Sequence, residues 1–299
     1  MIFVSTFYKF TQLNQDQLIK LSTELPPFAK ENYLHGIIII AEEGINGTVA
    51  GPEHSMNALK NYLMGFPGLG SVVFKDSYTD KSPFKRFKVR IKKEIVTSGV
   101  NELSPPNSSS STHLSPTEWN KIIDEDPDAV ILDVRNSYET ELGKFKNALD
   151  PGLEHFSDFP NYVTKSGISK DKPILMYCTG GIRCEKAVLS MQHAGFENVF
   201  QLEGGILRYL NEYPNKYFDG ECFVFDHRVA VKQDLTPTTT YRLCPHCGQP
   251  GTNNIVCLVC AKEAKVCTKC IVKQYNKTCS LNCGEIYRLK TQQALNGTT

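Results

Sequence analysis

Cys178-Thr179-Gly180-Gly181-Ile182-Arg183 lies between an apolar run, Ile174-Leu175-Met176-Tyr177, and residues 184–194, whose apolar positions recur at helical spacing. An apolar tetrad bounded by turn formers reads as a buried strand, and a glycine-rich turn that opens a helix is the joint of a parallel α/β unit. A cysteine at that joint sits where backbone N–H groups and the helix dipole converge on its sulfur. With an arginine close by, such a thiol should be partly ionised at neutral pH, and the thiolate is the nucleophilic form. Chemistry is therefore expected at Cys178, assisted by Arg183, with Thr179, Gly180, Gly181 and Ile182 as the loop that holds them.

Residues 129–134 and 198–202 read as further short buried strands, alternating with helical stretches, which predicts a parallel α/β sheet over residues 115–219. Cys178 then falls at the carboxyl end of a strand, where open α/β folds bind their ligands. Ser115-Pro116-Thr117-Glu118 combines a cap, a proline at the first helical position and a capping-box glutamate, a clean helix start. Before it, residues 99–114 include Pro-Pro and a run of serines, too polar to pack, and read as a linker.

Residues 1–98 read as strand, helix, strand, strand, helix, strand. Residues 2–7 are β-rich; Leu18, Leu21 and Leu25 keep helical spacing after Asn14; residues 36–41 and 48–50 flank an expected turn at 43–47. A second helix fits residues 53–64, and strands fit 71–75 and 87–95. The βαββαβ order predicts a ferredoxin-like sandwich. In its last strand Phe87, Val89 and Ile91 alternate with Lys88, Arg90 and Lys92, so one face is apolar and the other cationic.

From residue 220 to 299 the texture turns polar and rich in cysteine. Cys244-x2-Cys247, Cys257-x2-Cys260, Cys267-x2-Cys270 and Cys279-x3-Cys283 supply eight thiols within forty residues, enough for up to two structural zinc sites. Spacing leaves open which four share a metal, and His246 reads as a spacer. The whole is an α/β and α+β multidomain chain.

Composition bounds the function. Of 299 residues 40% are hydrophobic, ample for several buried cores, and no run approaches the ~20 apolar residues of a membrane span. The N-terminus lacks a signal-peptide layout, and cysteines at metal spacing suit a reducing compartment, so a cytoplasmic location is expected. With 33 Lys and Arg against 32 Asp and Glu, any nucleic-acid site must be a local patch. Neither a dinucleotide fingerprint nor a phosphate-binding P-loop occurs, so no nucleotide cofactor is expected. None of the seven histidines begins a His-x-Asp or His-x-Glu motif, so a facial-triad iron site has no support in the sequence.

Asp133-Val134-Arg135, the Cys178 loop and Glu203-Gly204-Gly205 resemble the landmarks of a rhodanese domain, whose loop cysteine carries a persulfide in sulfurtransferases. The six-residue loop suits sulfur, one residue shorter than in the related phosphatases. Residues 42–48, 83–86, 94–97, 132–136, 177–186 and 220–226 are together similar to the rhodanese-related tRNA uridine 5-hydroxylases, from residue 1 to about 230 and in order. The serine run of the linker departs from that pattern. The resemblance implies oxygen-dependent 5-hydroxylation of the wobble uridine in tRNA, molecular oxygen as co-substrate, Cys178 as functional cysteine, and an unidentified electron or sulfur donor. It also implies that Asp133 and Arg135 order the loops, and it turns Lys85, Arg86, Lys88, Arg90 and Lys92 from a solvated strand edge into a stripe for tRNA phosphates near the anticodon. Two rivals remain open: a sulfurtransferase passing persulfide sulfur to an acceptor, and a zinc-stabilised RNA or protein adaptor. Cys184 and Cys222 read as packed core residues, and Asn46 as a turn residue with a lesser prospect of touching RNA.

Overall fold

The computed structural model describes residues 1–100 and 112–296, so most of the expected linker lies outside the described residues. The chain divides into two units, residues 1–223 with 232–236, and residues 224–231 with 237–299.

The first unit opens with β1 (Ile2–Phe10), α1 (Gln15–Glu31), β2 (His35–Ala41), β3 (Gly44–Gly51), α2 (Glu53–Gly65), β4 (Val73–Thr79) and β5 (Phe87–Ile91). The sheet order β4-β1-β3-β2-β5 is the ferredoxin-like arrangement extended by β5, which runs parallel to β2 along one edge. Asn14 starts α1 because its side chain accepts from the Gln17 N–H while the Gln17 side chain accepts from the Asn14 N–H. Leu18, Leu21, Leu25 and Ala29 then face the sheet and bury with Phe7, Ile38, Ile40 and Val49.

The expected turn at residues 43–47 contracts to Glu42 and Glu43, because β3 already begins at Gly44. Gly44 and Gly47 are strand residues paired with Phe10 and Phe7 of β1. Gly44 closes the tight two-residue hairpin opposite Ala41, and because a Cβ on it would lie 2.0 Å from the Lys9 carbonyl oxygen it also serves the close approach of β1. The strand expected at 71–75 is displaced to Val73–Thr79, the length over which β1 offers partners. The one expected at 87–95 stops at Ile91, since β2 ends at Ala41 and offers the Ile40 carbonyl to Lys92 as its last bond.

The same unit continues with β6 (His113–Leu114), α3 (Pro116–Glu125), β7 (Val130–Asp133), α4 (Ser137–Thr140), β8 (Gly143–Phe145), α5 (Phe159–Lys165), β9 (Ile174–Tyr177), α6 (Ile182–His193), β10 (Val199–Leu202), α7 (Gly205–Glu212), β11 (Phe218–Gly220) and β12 (Cys222–Phe223). Ser115 caps α3 with Glu118, as the sequence implies. Strands β6-β10-β9-β7 form a parallel sheet. His113 and Leu114, assigned above to the linker, are its edge strand; two residues are too few for any period to reveal. Trp119 is fully buried against Phe145 and Tyr177, tying α3 to the sheet.

The second unit carries β13 (Ala230–Val231), β14 (Arg242–Leu243), β15 (Pro250–Gly251), β16 (Asn253–Val256), β17 (Glu263–Val266), α8 (Thr268–Ile271) and α9 (Leu281–Asn296). β14 pairs β15 and β16 pairs β17, both antiparallel. One small cluster at its centre consists of Val266 with Cys244, Cys267 and Cys270, so thiols occupy the place of a core. No helix among the described residues is long and apolar enough to cross a membrane.

Candidate active site and metal centres

Cys178 follows β9 directly, and its side chain is fully buried. The loop turns back because Gly181 takes the left-handed conformation, φ 98°, as cap of α6. Its N–H then donates to the Cys178 sulfur at 3.1 Å. Burial pushes the Cys178 thiol up, but the Cys184 thiol, the Arg183 charge and the N–H groups of Cys184 and Arg183 outweigh it. Together they bring the thiol from an ordinary 9.0 down to about 5. Cys184, equally buried beside an anion, is pushed well up and stays a neutral donor.

The Glu203-Gly204-Gly205 segment has a mechanical role. Both glycines are left-handed, φ 74° and 65°, and the helix they open donates from Ile206 and Leu207 to the carbonyls of Cys178 and Thr179. A Cβ on Gly205 would stand 2.5 Å from the Cys178 carbonyl oxygen and 2.8 Å from the Gly181 nitrogen. Only glycine lets α7 brace the back of the loop.

Arg183 is buried, and both ends of its fork meet Glu139 of α4, Nη1 to Oε1 at 2.5 Å and Nη2 to Oε2 at 2.8 Å. Nη2 also donates to the Thr179 hydroxyl at 3.3 Å. Its charge lies inside the site with its direction fixed by a carboxylate. Asp133 and Arg135 form a second buried pair, at 2.6 Å, that also receives the Tyr177 hydroxyl and reaches the Gly143 carbonyl. That pair links the ends of β7, β8 and β9.

Further anchors join the ferredoxin-like sheet to α6. Lys186 is buried between Glu43 at 2.9 Å and Glu94 at 2.6 Å. Glu185 accepts from Tyr8 at 3.0 Å and from the Gln201 amide at 3.1 Å, and lies 3.1 Å from His113 Nε2. Burial works against its charge, yet these partners hold its carboxyl below the usual range. Asn46 donates to the Ile95 carbonyl at 2.9 Å and is spent on structure. Lys85, Arg86, Lys88, Arg90 and Lys92 are all exposed on or beside the edge strand β5.

The eight tail cysteines separate into two interleaved sets: Cys244, Cys247, Cys267 and Cys270, and Cys257, Cys260, Cys279 and Cys283. Within each set the sulfurs lie within 4.8 Å of one another. Separations of 3.5 Å for Cys247–Cys267 and 3.4 Å for Cys260–Cys279 are far too long for disulfides. They are close to the roughly 3.8 Å edge of a tetrahedron with metal–sulfur bonds of about 2.3 Å. Both sets fit a metal ion. His246 bonds the Thr278 carbonyl instead, as a spacer would.

Glu139 and Tyr8 were not singled out from the sequence, whereas Glu185 and Lys186 lie in the segment 177–186 and Gly205 in Glu203-Gly204-Gly205, both marked by the resemblance. Glu43 and Glu94 lie in segments that the resemblance marks, and their shared partner Lys186 explains why those segments occur together.

Residues 2–95 match the family described as UPF0176 acylphosphatase like domain, residues 115–212 the Rhodanese-like domain, and residues 219–284 the Rhodanase C-terminal family. The tRNA uridine(34) hydroxylase of Bdellovibrio bacteriovorus is 48% identical over 297 residues, 99% of this chain and 83% of that protein. The enzyme of the same name from Synechococcus sp. is 45% identical over 83% of this chain and 84% of its own. That of Legionella pneumophila is 46% identical over 78% of this chain and 92% of its own.

Proposed function

We propose that this chain, which belongs to the tRNA uridine(34) hydroxylase family, hydroxylates C5 of the wobble uridine in tRNA at a site centred on Cys178. The observation that carries the reading is the sulfur itself: buried, held by the Gly181 N–H, and lowered to about 5 in a loop braced by α7. A thiolate is the right reagent for uracil. Its attack on C6 forms a carbon–sulfur bond and moves the C5=C6 electron pair toward C5 and O4, making C5 electron-rich. Dioxygen, as co-substrate, supplies one oxygen atom to C5, and an external two-electron donor reduces the other to water. Loss of the C5 proton and expulsion of the thiolate restore the aromatic base and the enzyme.

Arg183 stabilises the anionic sulfur, and Asp133 and Arg135 keep the loop in shape. Lys85, Arg86, Lys88, Arg90 and Lys92 meet phosphates of the anticodon arm, whose loop bases are free to splay into a site. The two cysteine sets hold structural zinc and supply folding energy that the small core of the second unit lacks. Such a tRNA-modifying enzyme acts in the cytoplasm.

The test is isotopic. Unmodified tRNA incubated with the enzyme under 18O2 should yield 5-hydroxyuridine two mass units heavier than under 16O2. Label arriving from H2(18)O instead would refute the oxygen-dependent route. Transfer of thiosulfate sulfur to the base, with no hydroxylation, would favour the sulfurtransferase.

A further inference from the structure

Lys75 stands on β4 opposite Thr6 of β1, in the ferredoxin-like part of the chain. Its side chain is half-buried, and among the described residues no carboxylate pairs with it. Its Nζ sits instead over the Tyr8 ring, 4.6 Å from the centroid. The far end of that ring is fixed, since Tyr8 Oη donates to Glu185 at 3.0 Å and stands where a Cβ on Gly181 would come within 2.9 Å of it. Tyr8 therefore touches the loop of Cys178 and carries Lys75 beside it.

We infer that Lys75 is a further residue of the Cys178 site, the ammonium that the ferredoxin-like domain seats on Tyr8 to hold the reactive sulfur as a thiolate. The inference rests on Cys178 being the reacting atom, not on the identity of its acceptor. Among the described residues Arg183 is committed to Glu139, Arg135 to Asp133, Lys186 to Glu43 and Glu94, and Arg208 to Glu203 and Glu212. Glu185 is likewise engaged by Tyr8, His113 and Gln201. A half-buried ammonium without a carboxylate loses solvation that contact with a tyrosine ring restores only in part. An anionic sulfur supplies the rest. Burial lowers Lys75 from 10.5 to about 8; Cys178, Glu185 and Glu203 resist that fall, and Arg208 assists it. Sulfur and lysine are thus both charged between about 5 and about 8. Lys75 acts through the sulfur and is a positioning residue for it.

The test needs no substrate. Cys178 is the sole cysteine of the tryptic peptide 171–183, so its labelling by methyl methanethiosulfonate can be followed by mass spectrometry against pH. Lys75→Met and Lys75→Gln should raise the apparent pKa of Cys178 by about one unit, cutting labelling on the acid side about tenfold. Lys75→Arg should keep the wild-type profile. A profile unchanged in either neutral variant, in protein that melts as wild type does, overturns the inference. Shifted profiles in an enzyme that forms no 5-hydroxyuridine would uphold Lys75 while refuting the proposed reaction.

Discussion

Removing the Arg183 charge separates its structural duty from its chemical one. Glu139 is fully buried and spends both oxygens on the guanidinium. Arg183→Met strands that carboxylate, keeping the Asn136 N–H at 3.2 Å and the Thr179 hydroxyl at 3.3 Å. Breaking one side of a buried pair costs about 3–5 kcal/mol. At about 2–4 °C per kcal/mol for a chain of this size, the melting temperature should fall by roughly 6–20 °C. Glu139→Gln combined with Arg183→Met removes both charges and should recover most of that loss, because nothing charged is left unpaired. The thiol does not recover, since the Arg183 charge that lowers it is absent in both proteins. Each unit by which its pKa rises costs about tenfold in thiolate on the acid side. Calorimetry and pH-dependent labelling of Cys178 on the single and double variants decide the matter. A double variant that regains both stability and wild-type thiol reactivity would refute a chemical role for Arg183. One no more stable than Arg183→Met would refute the pairing argument.

Gly205→Ala should abolish hydroxylation while leaving most of the chain folded, because its Cβ collides with the Cys178 carbonyl at 2.5 Å and the position is left-handed; retained activity would show that α7 does not brace the loop. Cys178 labelling should be flat from neutral pH down to about 6 and fall tenfold per unit below about 5, as the thiolate is protonated; a midpoint near 9 would contradict the geometry of the loop. Lys186→Met leaves Glu43 and Glu94 facing each other without their shared cation and should lower the melting temperature more than Glu43→Gln. Zinc released by a thiol-blocking reagent should be two equivalents per chain. Cys244→Ser with Cys270→Ser should lose one equivalent and Cys244→Ser with Cys257→Ser both, and the opposite pattern would refute the interleaved sets.

The Cys178 loop and the capped helix starts at Asn14 and Ser115 were legible in the sequence because their signals are local. A cap needs three following residues, and a strand–turn–helix joint shows in a dozen. What stayed hidden depends on distant partners. Gly44 reads as a turn glycine, and that the Lys9 carbonyl of β1 also presses on it depends on a strand more than thirty residues earlier. Arg183 looks free until Glu139, forty-four residues earlier, meets it. The two-residue strand β6 carries no period and acquires its identity from β10. The even spacing of the cysteine pairs suggested neighbouring pairs as readily as alternate ones, and only the hairpin β16–β17, which carries the second pair in its turn between the first and third, interleaves them. Lys75 bears on Cys178 only because β1 brings the Tyr8 ring to the loop.

The most direct trial of the central claim is nucleoside mass spectrometry of unmodified tRNA incubated aerobically, with an electron donor, with wild-type protein and with Cys178→Ser. The thiolate account predicts 5-hydroxyuridine from the wild type and none from the variant. Equal product from both would contradict it, since the oxygen would then reach C5 without the sulfur.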